Sequence, residues 1–284
     1  MTTEPLLQVN DLEVTYQSRG LRRTSFKAVA GVDLQVQSGE TIGLVGESGS
    51  GKSTIGRAIL GMAPVTAGRI EFAGRNITHL PRRDRRTLAS DIQVIFQDPY
   101  SSLSPSLTIG DTLAEPLRAS GASRTEASRR IGELLDLVHL PSDALQRMPR
   151  EFSGGQRQRV AIARSLALEP RFIVCDEPVS ALDLSTQARV IDLLIEVQRR
   201  TGVSYLFISH DLDVIRVMSH RIAVMYRGRI VETGDGEQIS TMPTHPYTQR
   251  LLLASPLADP AAQRVRRKEF QQLPAAEFLE SSDI

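Results

Sequence analysis

Residues 46–53 read Gly-Glu-Ser-Gly-Ser-Gly-Lys-Ser, the G-x-x-x-x-G-K-[ST] spacing of a loop that wraps nucleotide phosphates. Gly46, Gly49 and Gly51 permit positive φ, so successive N–H groups can turn inward, and the helix start that follows adds positive potential for an anion. Ser48, Ser50 and Thr54 belong to the same nucleotide-binding stretch. Lys52 is placed to reach the β- and γ-phosphates, and Ser53 to hold Mg2+ through its hydroxyl. The chain uses lysine at only three positions, Lys27, Lys52 and Lys268; between phosphates a compact ammonium serves as a point charge better than a planar guanidinium.

Two further constellations carry chemistry. Phe-Ile-Val-Cys at 172–175 runs into two adjacent carboxylates, Asp176 and Glu177. A buried strand ending this way puts both at the C-terminal edge of a sheet, where α/β folds bind ligands. Asp176 is the expected Mg2+ partner, because a charge buried there without a cation is costly. Glu177 is placed to accept a proton from, or orient, the water that attacks the γ-phosphate. Cys175 reads as a small buried hydrophobe. In the other constellation, Ser153 precedes Gly154 and Gly155 and is followed by Gln156, a capping-box pattern. Two glycines in a first helical turn cost helix stability, so they point to close backbone approach, and such a helix start suits phosphate.

These residues need a framework. Short apolar runs at 41–45, 69–72, 92–96, 172–175, 205–209 and 222–226 read as strands, most of them continuous as expected when both faces are buried, with a hairpin return at 229–232. Half-buried strands are expected at 6–16 and 28–36, with a polar loop at 17–27. Helical spacing places Ile55, Ile59 and Leu60 together. It also groups Ile131, Leu134, Leu135 and Val138 within 124–138, and Val190, Ile191, Leu194, Ile195 and Val197 within 186–200. The alternation indicates an α/β fold with a mainly parallel sheet. The span between Phe96 and Phe172 is too long for a plain crossover and reads as an inserted helical subdomain. After Gly234 the Pro-punctuated sequence reads as a surface tail with one amphipathic piece at 247–254. The basic clusters at 82–86 and 264–268 read as solvated faces.

With 284 residues, 40% hydrophobic and 24% charged residues and a net charge of +1, the chain is an ordinary globular protein with no bulk charge for nucleic acid. Its apolar runs fall far below the roughly 18 residues that a membrane span needs. The first residues lack the features of a signal peptide, which predicts a cytoplasmic chain, and the single cysteine forms no internal disulfide.

Phe152-Ser153-Gly154-Gly155-Gln156 resembles the signature motif of ATP-binding cassette (ABC) proteins, with Phe152 in place of the usual leucine. The other cassette motifs follow in the family's order, and together they span about residues 6–250. The resemblance implies a P-loop NTPase (RecA-like) core, an N-terminal antiparallel β subdomain and a helical subdomain inserted at about 98–168. It also implies that Tyr16 stacks on adenine and that Gln97 joins the magnesium site to the transporter contact. In the same way, 180–183, with Asp183, is the loop crossing to a second subunit, and His210 contacts the γ-phosphate. In that family the ATP site is split between two chains, so a dimer is implied.

Residues 95–105 and Thr244-His245-Pro246-Tyr247-Thr248-Gln249 are similar to the ATPase subunits of bacterial oligopeptide, dipeptide and nickel importers, although Ser104 stands where asparagine is common. Residues 235–284 are then a tail of the peptide-importer type. No cysteine follows Cys175, so the cysteine-ligated iron–sulfur cluster of some members is not expected. The reading is an ATP-hydrolysing subunit on the cytoplasmic face of the membrane. Its expected partners are two transmembrane permease subunits, a second ATPase subunit and, indirectly, an extracytoplasmic solute-binding protein, with ATP and Mg2+ as ligands. The alternative is a soluble cassette ATPase of translation, DNA repair or phosphonate breakdown. Two cassettes or long coiled coils mark the first two of these, and this sequence has neither.

Overall fold

In the computed structural model the described residues are 4–17, 24–98, 103–254 and Arg264. Their centre is a six-stranded sheet of β3 (Thr41–Val45), β6 (Ile92–Ile95), β7 (Phe172–Asp176), β8 (Ser204–Ser209), β9 (Arg221–Tyr226) and β10 (Arg229–Asp235). The order is β10-β9-β3-β8-β7-β6, parallel throughout except for the β9–β10 hairpin. Alternate residues of each strand face opposite sides. On one side Phe172 and Val174 join Leu206, Ile208, Ile42 and Leu44 in one core. On the other, Ile173 and Cys175 join Tyr205, Phe207 and Val45 in a second.

The first core is shared with an antiparallel sheet of order β2-β1-β4-β5, made of β1 (Leu7–Gln17), β2 (Ser25–Val36), β4 (Val65–Phe72) and β5 (Arg75–Asn76), and with helix α1 (Lys52–Ile59). The second is covered by α2 (Ile109–Ala119), α3 (Arg124–Leu137), α4 (Gly154–Ser165), α5 (Leu184–Thr201) and α6 (Leu212–Met218), with α7 (Gly236–Thr241) and α8 (Pro246–Ala254) packed beside them. Helices α2, α3 and α4 all lie in the chain between β6 and β7. No helix among the described residues is long and apolar enough to cross a membrane.

Several boundaries differ from the sequence expectation. Strand β2 begins at Ser25, inside the expected loop, because Gln17, Tyr16 and Thr15 pair with Ser25, Phe26 and Lys27 through backbone bonds that ignore side-chain polarity. The Lys27 ammonium also meets Glu13 at 2.9 Å. In α5 the buried stripe includes Leu193, while Ile195 is exposed. Arg85 is not a solvated member of its cluster: it turns inward and donates to the carbonyls of Ile59 (3.0 Å) and Ile77 (2.5 Å). The segment after Gly234 begins as packed structure rather than surface tail, since Ile239, Tyr247 and Thr248 are buried. The expected features at 18–23, 99–102 and most of 255–284 lie outside the described residues.

Candidate active site

Register brings the chemistry to one edge. Leu44, Ile208 and Asp176 lie side by side across β3, β8 and β7, and Cys175 pairs with Ile95 of β6. The phosphate loop, His210, Glu177 and Gln97 therefore all leave the same C-terminal edge of the parallel sheet, the position where open α/β sheets bind ligands.

The loop itself is built from backbone. Gly51 caps α1 in the left-handed region at φ 108°, with no side-chain cap. A Cβ there would sit 2.3 Å from the Ala28 carbonyl oxygen, so only glycine fits. The Gly228 N–H of the β9–β10 turn donates to the Ser50 carbonyl at 2.9 Å, tying the loop to the hairpin. Lys52 is buried and folds back to donate from Nζ to the carbonyls of Gly46 (2.7 Å) and Glu47 (2.9 Å). Burial pushes its ammonium below the ordinary lysine range, against the opposing pull of Glu177, Asp176 and Glu47. Of the remaining loop residues, Ser50 is buried and Ser48 and Gly49 are exposed, while Thr54 donates its N–H to the Gly51 carbonyl at 3.0 Å.

Ser53 Oγ donates to Asp176 Oδ1 at 2.7 Å, joining the loop to the strand-end carboxylates. Burial raises the Asp176 pKa, with the Ser53 hydrogen bond and Arg57 acting against it. A hydroxyl and a carboxylate oxygen at hydrogen-bond distance form a hard-oxygen pair suited to Mg2+, and a cation there would relieve the burial penalty on Asp176. Among the described residues no three or more His, Cys, Asp or Glu are grouped so that they could hold a metal ion by themselves. Mg2+ is usually held by one or two carboxylates, water and substrate phosphates.

Glu177 adopts φ 52°, a left-handed conformation uncommon for residues other than glycine, fixed by its N–H donating to the Ile208 carbonyl at 3.0 Å. His210 stands at the end of β8 with Nδ1 3.4 Å from Glu177 Oε2. Gln97 is exposed just beyond β6, and Tyr16 is partly buried on β1 opposite the exposed Phe26.

Ser153 caps α4 with a complete capping box. Gln156 N–H donates to Ser153 Oγ at 3.3 Å, and Ser153 N–H donates to Gln156 Oε1 at 3.0 Å. The two glycines differ. A Cβ on Gly155 would lie 2.3 Å from Thr186 Cγ2, so its close approach is to α5 of the same chain, whereas Gly154 has only ordinary contact with Leu182. Asp183 caps α5, accepting from Thr186 N, Thr186 Oγ1 and Ser185 Oγ, and these hydrogen bonds hold its pKa down at about 2. Ser153, Gly155, Gln156, Arg159, Thr186 and Arg189 help line a cavity of about 490 Å³ that no phosphate-loop residue lines. Residue types alone did not reveal the Tyr247 hydroxyl beneath the loop, where it accepts the Glu47 N–H at 3.0 Å; its only signal was the 244–249 motif.

The sequence profile described as ABC transporter matches residues 29–180. The chain belongs to the ABC transporter family. It is 49% identical over 261 residues to the oligopeptide transport ATP-binding protein OppD of Mycobacterium tuberculosis, covering 90% of this chain and 43% of that protein. The chain thus spans less than half the length of that relative. It is 47% identical over 270 residues to the dipeptide transport ATP-binding protein DppF of Lactococcus lactis subsp. cremoris, covering 93% of this chain and 86% of DppF. A solved dimer of the ATP-binding cassette MJ0796 in a post-hydrolysis state with ADP and Pi superposes with a TM-score of 0.71 at 29% identity, covering 81% of this chain and 98% of that one. The fold of this ABC family member is that of a P-loop ATPase cassette, a mainly parallel core with an antiparallel β sheet on one face.

Proposed function

We propose that this chain is the ATP-hydrolysing subunit that powers a membrane importer of oligopeptides or dipeptides. The observation that carries the reading is the 2.7 Å contact between Ser53 Oγ and Asp176 Oδ1, which unites a phosphate loop with a carboxylate pair. The two named relatives point to peptides. Within the cassette, taken as residues 6–250 with a helical subdomain at about 98–168, loop N–H groups and Lys52 bind the β- and γ-phosphates. Glu177 accepts the proton of the attacking water as the water oxygen bonds to the γ-phosphorus and the bond to the β-phosphate oxygen breaks. His210 steadies the Glu177 carboxylate and lies within reach of the γ-phosphate. Mg2+, held by Ser53 and Asp176 with Gln97 alongside, would neutralise charge on the phosphate oxygens.

The separate cavity at Ser153 supports a site completed by a second cassette. A groove of about 940 Å³ between β6, α2 and α4, lined by Ile95, Phe96, Pro116 and Leu168 among others, supports docking of a permease subunit beside Gln97 at the cytoplasmic face. Residues 235–284 are assigned, by the likeness of the 244–249 motif, to a tail of the peptide-importer type. A solute-binding protein would deliver the peptide from the other side of the membrane.

The Glu177→Gln variant is expected to retain Mg-ATP binding while turnover falls by about 10²-fold or more. Near-normal turnover would remove Glu177 from the mechanism. Mixing Lys52→Ala chains with Ser153→Arg chains, each inactive alone, should restore trapped nucleotide, because a mixed dimer holds one intact shared site. Mixed dimers shown by differently tagged co-purification, yet as inactive as the parents, would reject the shared site.

A further inference from the structure

The 244–248 sequence, Thr-His-Pro-Tyr-Thr, plays no part in the phosphate chemistry above, yet the fold brings it to the phosphate loop. One carboxylate shapes the turn. Glu232 of β10 accepts hydrogen bonds from Thr244 N (2.7 Å), Thr244 Oγ1 (2.8 Å) and His245 N (3.1 Å). His245 Nδ1 then accepts the Tyr247 N–H at 3.1 Å. Pro246 starts α8 with a φ already suited to a helix. The result sets Tyr247 inward, its ring buried and packed on Tyr226 of β9 with centroids 4.3 Å apart. Strand β9 pairs with β3, which leads into the loop.

The phenol oxygen accepts the Glu47 N–H at 3.0 Å. That N–H and the Gly46 carbonyl belong to one peptide unit, and Lys52 Nζ donates to that carbonyl at 2.7 Å. A single peptide plane at the mouth of the loop is thus clamped at both ends. When Lys52 turns to phosphate it must release the Gly46 carbonyl, and the phenol then remains the hold on that plane. An unheld peptide can rotate, and rotation would re-aim the neighbouring N–H groups that cradle phosphate.

We propose that Tyr247 is a positioning residue for the phosphate loop, delivered there by the Glu232-anchored turn and acting through its hydroxyl on the Gly46–Glu47 peptide. The proposal rests on the nucleotide-site reading only for its effect on ATP; the clamp itself is tested without nucleotide. In the full chain, Tyr247→Phe keeps the ring and removes the oxygen. Amide hydrogen exchange of the nucleotide-free protein should show the Glu47 amide exchanging several-fold faster in Tyr247→Phe than in wild type, with strands β3 and β8 unchanged. Calorimetric titration with Mg-ATP should show Kd raised roughly three- to tenfold, the range for one lost neutral hydrogen bond. The nucleotide KM should rise with it, while kcat at saturation stays unchanged. Tyr247→Ala should add a fall in melting temperature through loss of the ring.

Unchanged Glu47 exchange in Tyr247→Phe, or unchanged Kd with the effect confined to Tyr247→Ala, would overturn the proposal and leave Tyr247 a packing residue. Failure of the wild-type chain to bind Mg-ATP would overturn the nucleotide-site reading instead, and the exchange measurement would still decide the clamp.

Discussion

Two helix starts in this cassette carry glycine and suit an anion, and they are built in opposite ways. Helix α1 begins at Gly51 with no side-chain cap and a buried lysine as its first residue. Helix α4 begins at Ser153 with both halves of a capping box closed. An uncapped start leaves N–H donors whose best partner is a ligand, whereas a capped start is content without one. The first is a binding element by construction. The second is a stable helix without a ligand, and in the proposed shared site it would meet phosphate brought by a partner.

Substitutions can break or sharpen this contrast. The largest effect is expected at Lys52: Lys52→Ala should weaken Mg-ATP binding by about 10- to 100-fold, the range for a charged hydrogen-bond partner, while Ser153→Ala leaves the affinity of the isolated chain within about twofold. Equal losses in both, read by calorimetric titration, would erase the distinction. Next comes Gly155→Ala, whose added methyl meets Thr186 Cγ2; overpacking should cost about 1–3 kcal/mol in denaturant unfolding. Thr186→Ser removes that methyl and keeps the hydroxyl, so the double variant should regain most of the loss. Gln156→Ala opens half of the capping box and should cost about 0.5–1 kcal/mol without changing ATP affinity of the isolated chain.

The smallest effect concerns Glu232. Burial works against its charged form, but the Thr248 hydroxyl together with the hydrogen bonds from Thr244 and His245 prevails and holds its pKa below the ordinary 4.5. A carboxyl with a depressed folded pKa stabilises above its unfolded value and loses that stabilisation as pH falls through the folded one. The melting-temperature gap between wild type and Glu232→Gln should therefore be widest near neutral pH and close as pH drops below about 4.5. A gap independent of pH would detach the turn from this carboxylate.

The central sheet was legible because strands buried on both faces must be apolar throughout, as β3 and β8 are. The phosphate loop and the Asp176–Glu177 pair were legible because their chemistry demands particular residues at fixed local spacing. Long-range contacts were not. Gly155 reads as a glycine awaiting a ligand until Thr186 is seen against it, and Arg85 reads as solvated until the carbonyls it reaches are in place. Strand β2 outruns its apolar pattern because its first residues are held by backbone pairing. Tyr247 was hidden behind prolines that made its surroundings look like tail.

The strand that leads into the phosphate loop is made early but has only late partners. Strand β3 pairs with β8 and β9 and with no other, and the Tyr247 beneath the loop comes later still. On the ribosome, residues 41–53 therefore emerge as an apolar segment and a glycine loop whose first strand partner, β8, is complete only at Ser209 and whose second, β9, only at Tyr226. Parallel sheets closed by such distant contacts fold slowly and expose strand edges while they wait. The order of synthesis makes nucleotide binding a late property of the nascent chain, acquired only once its C-terminal third is available.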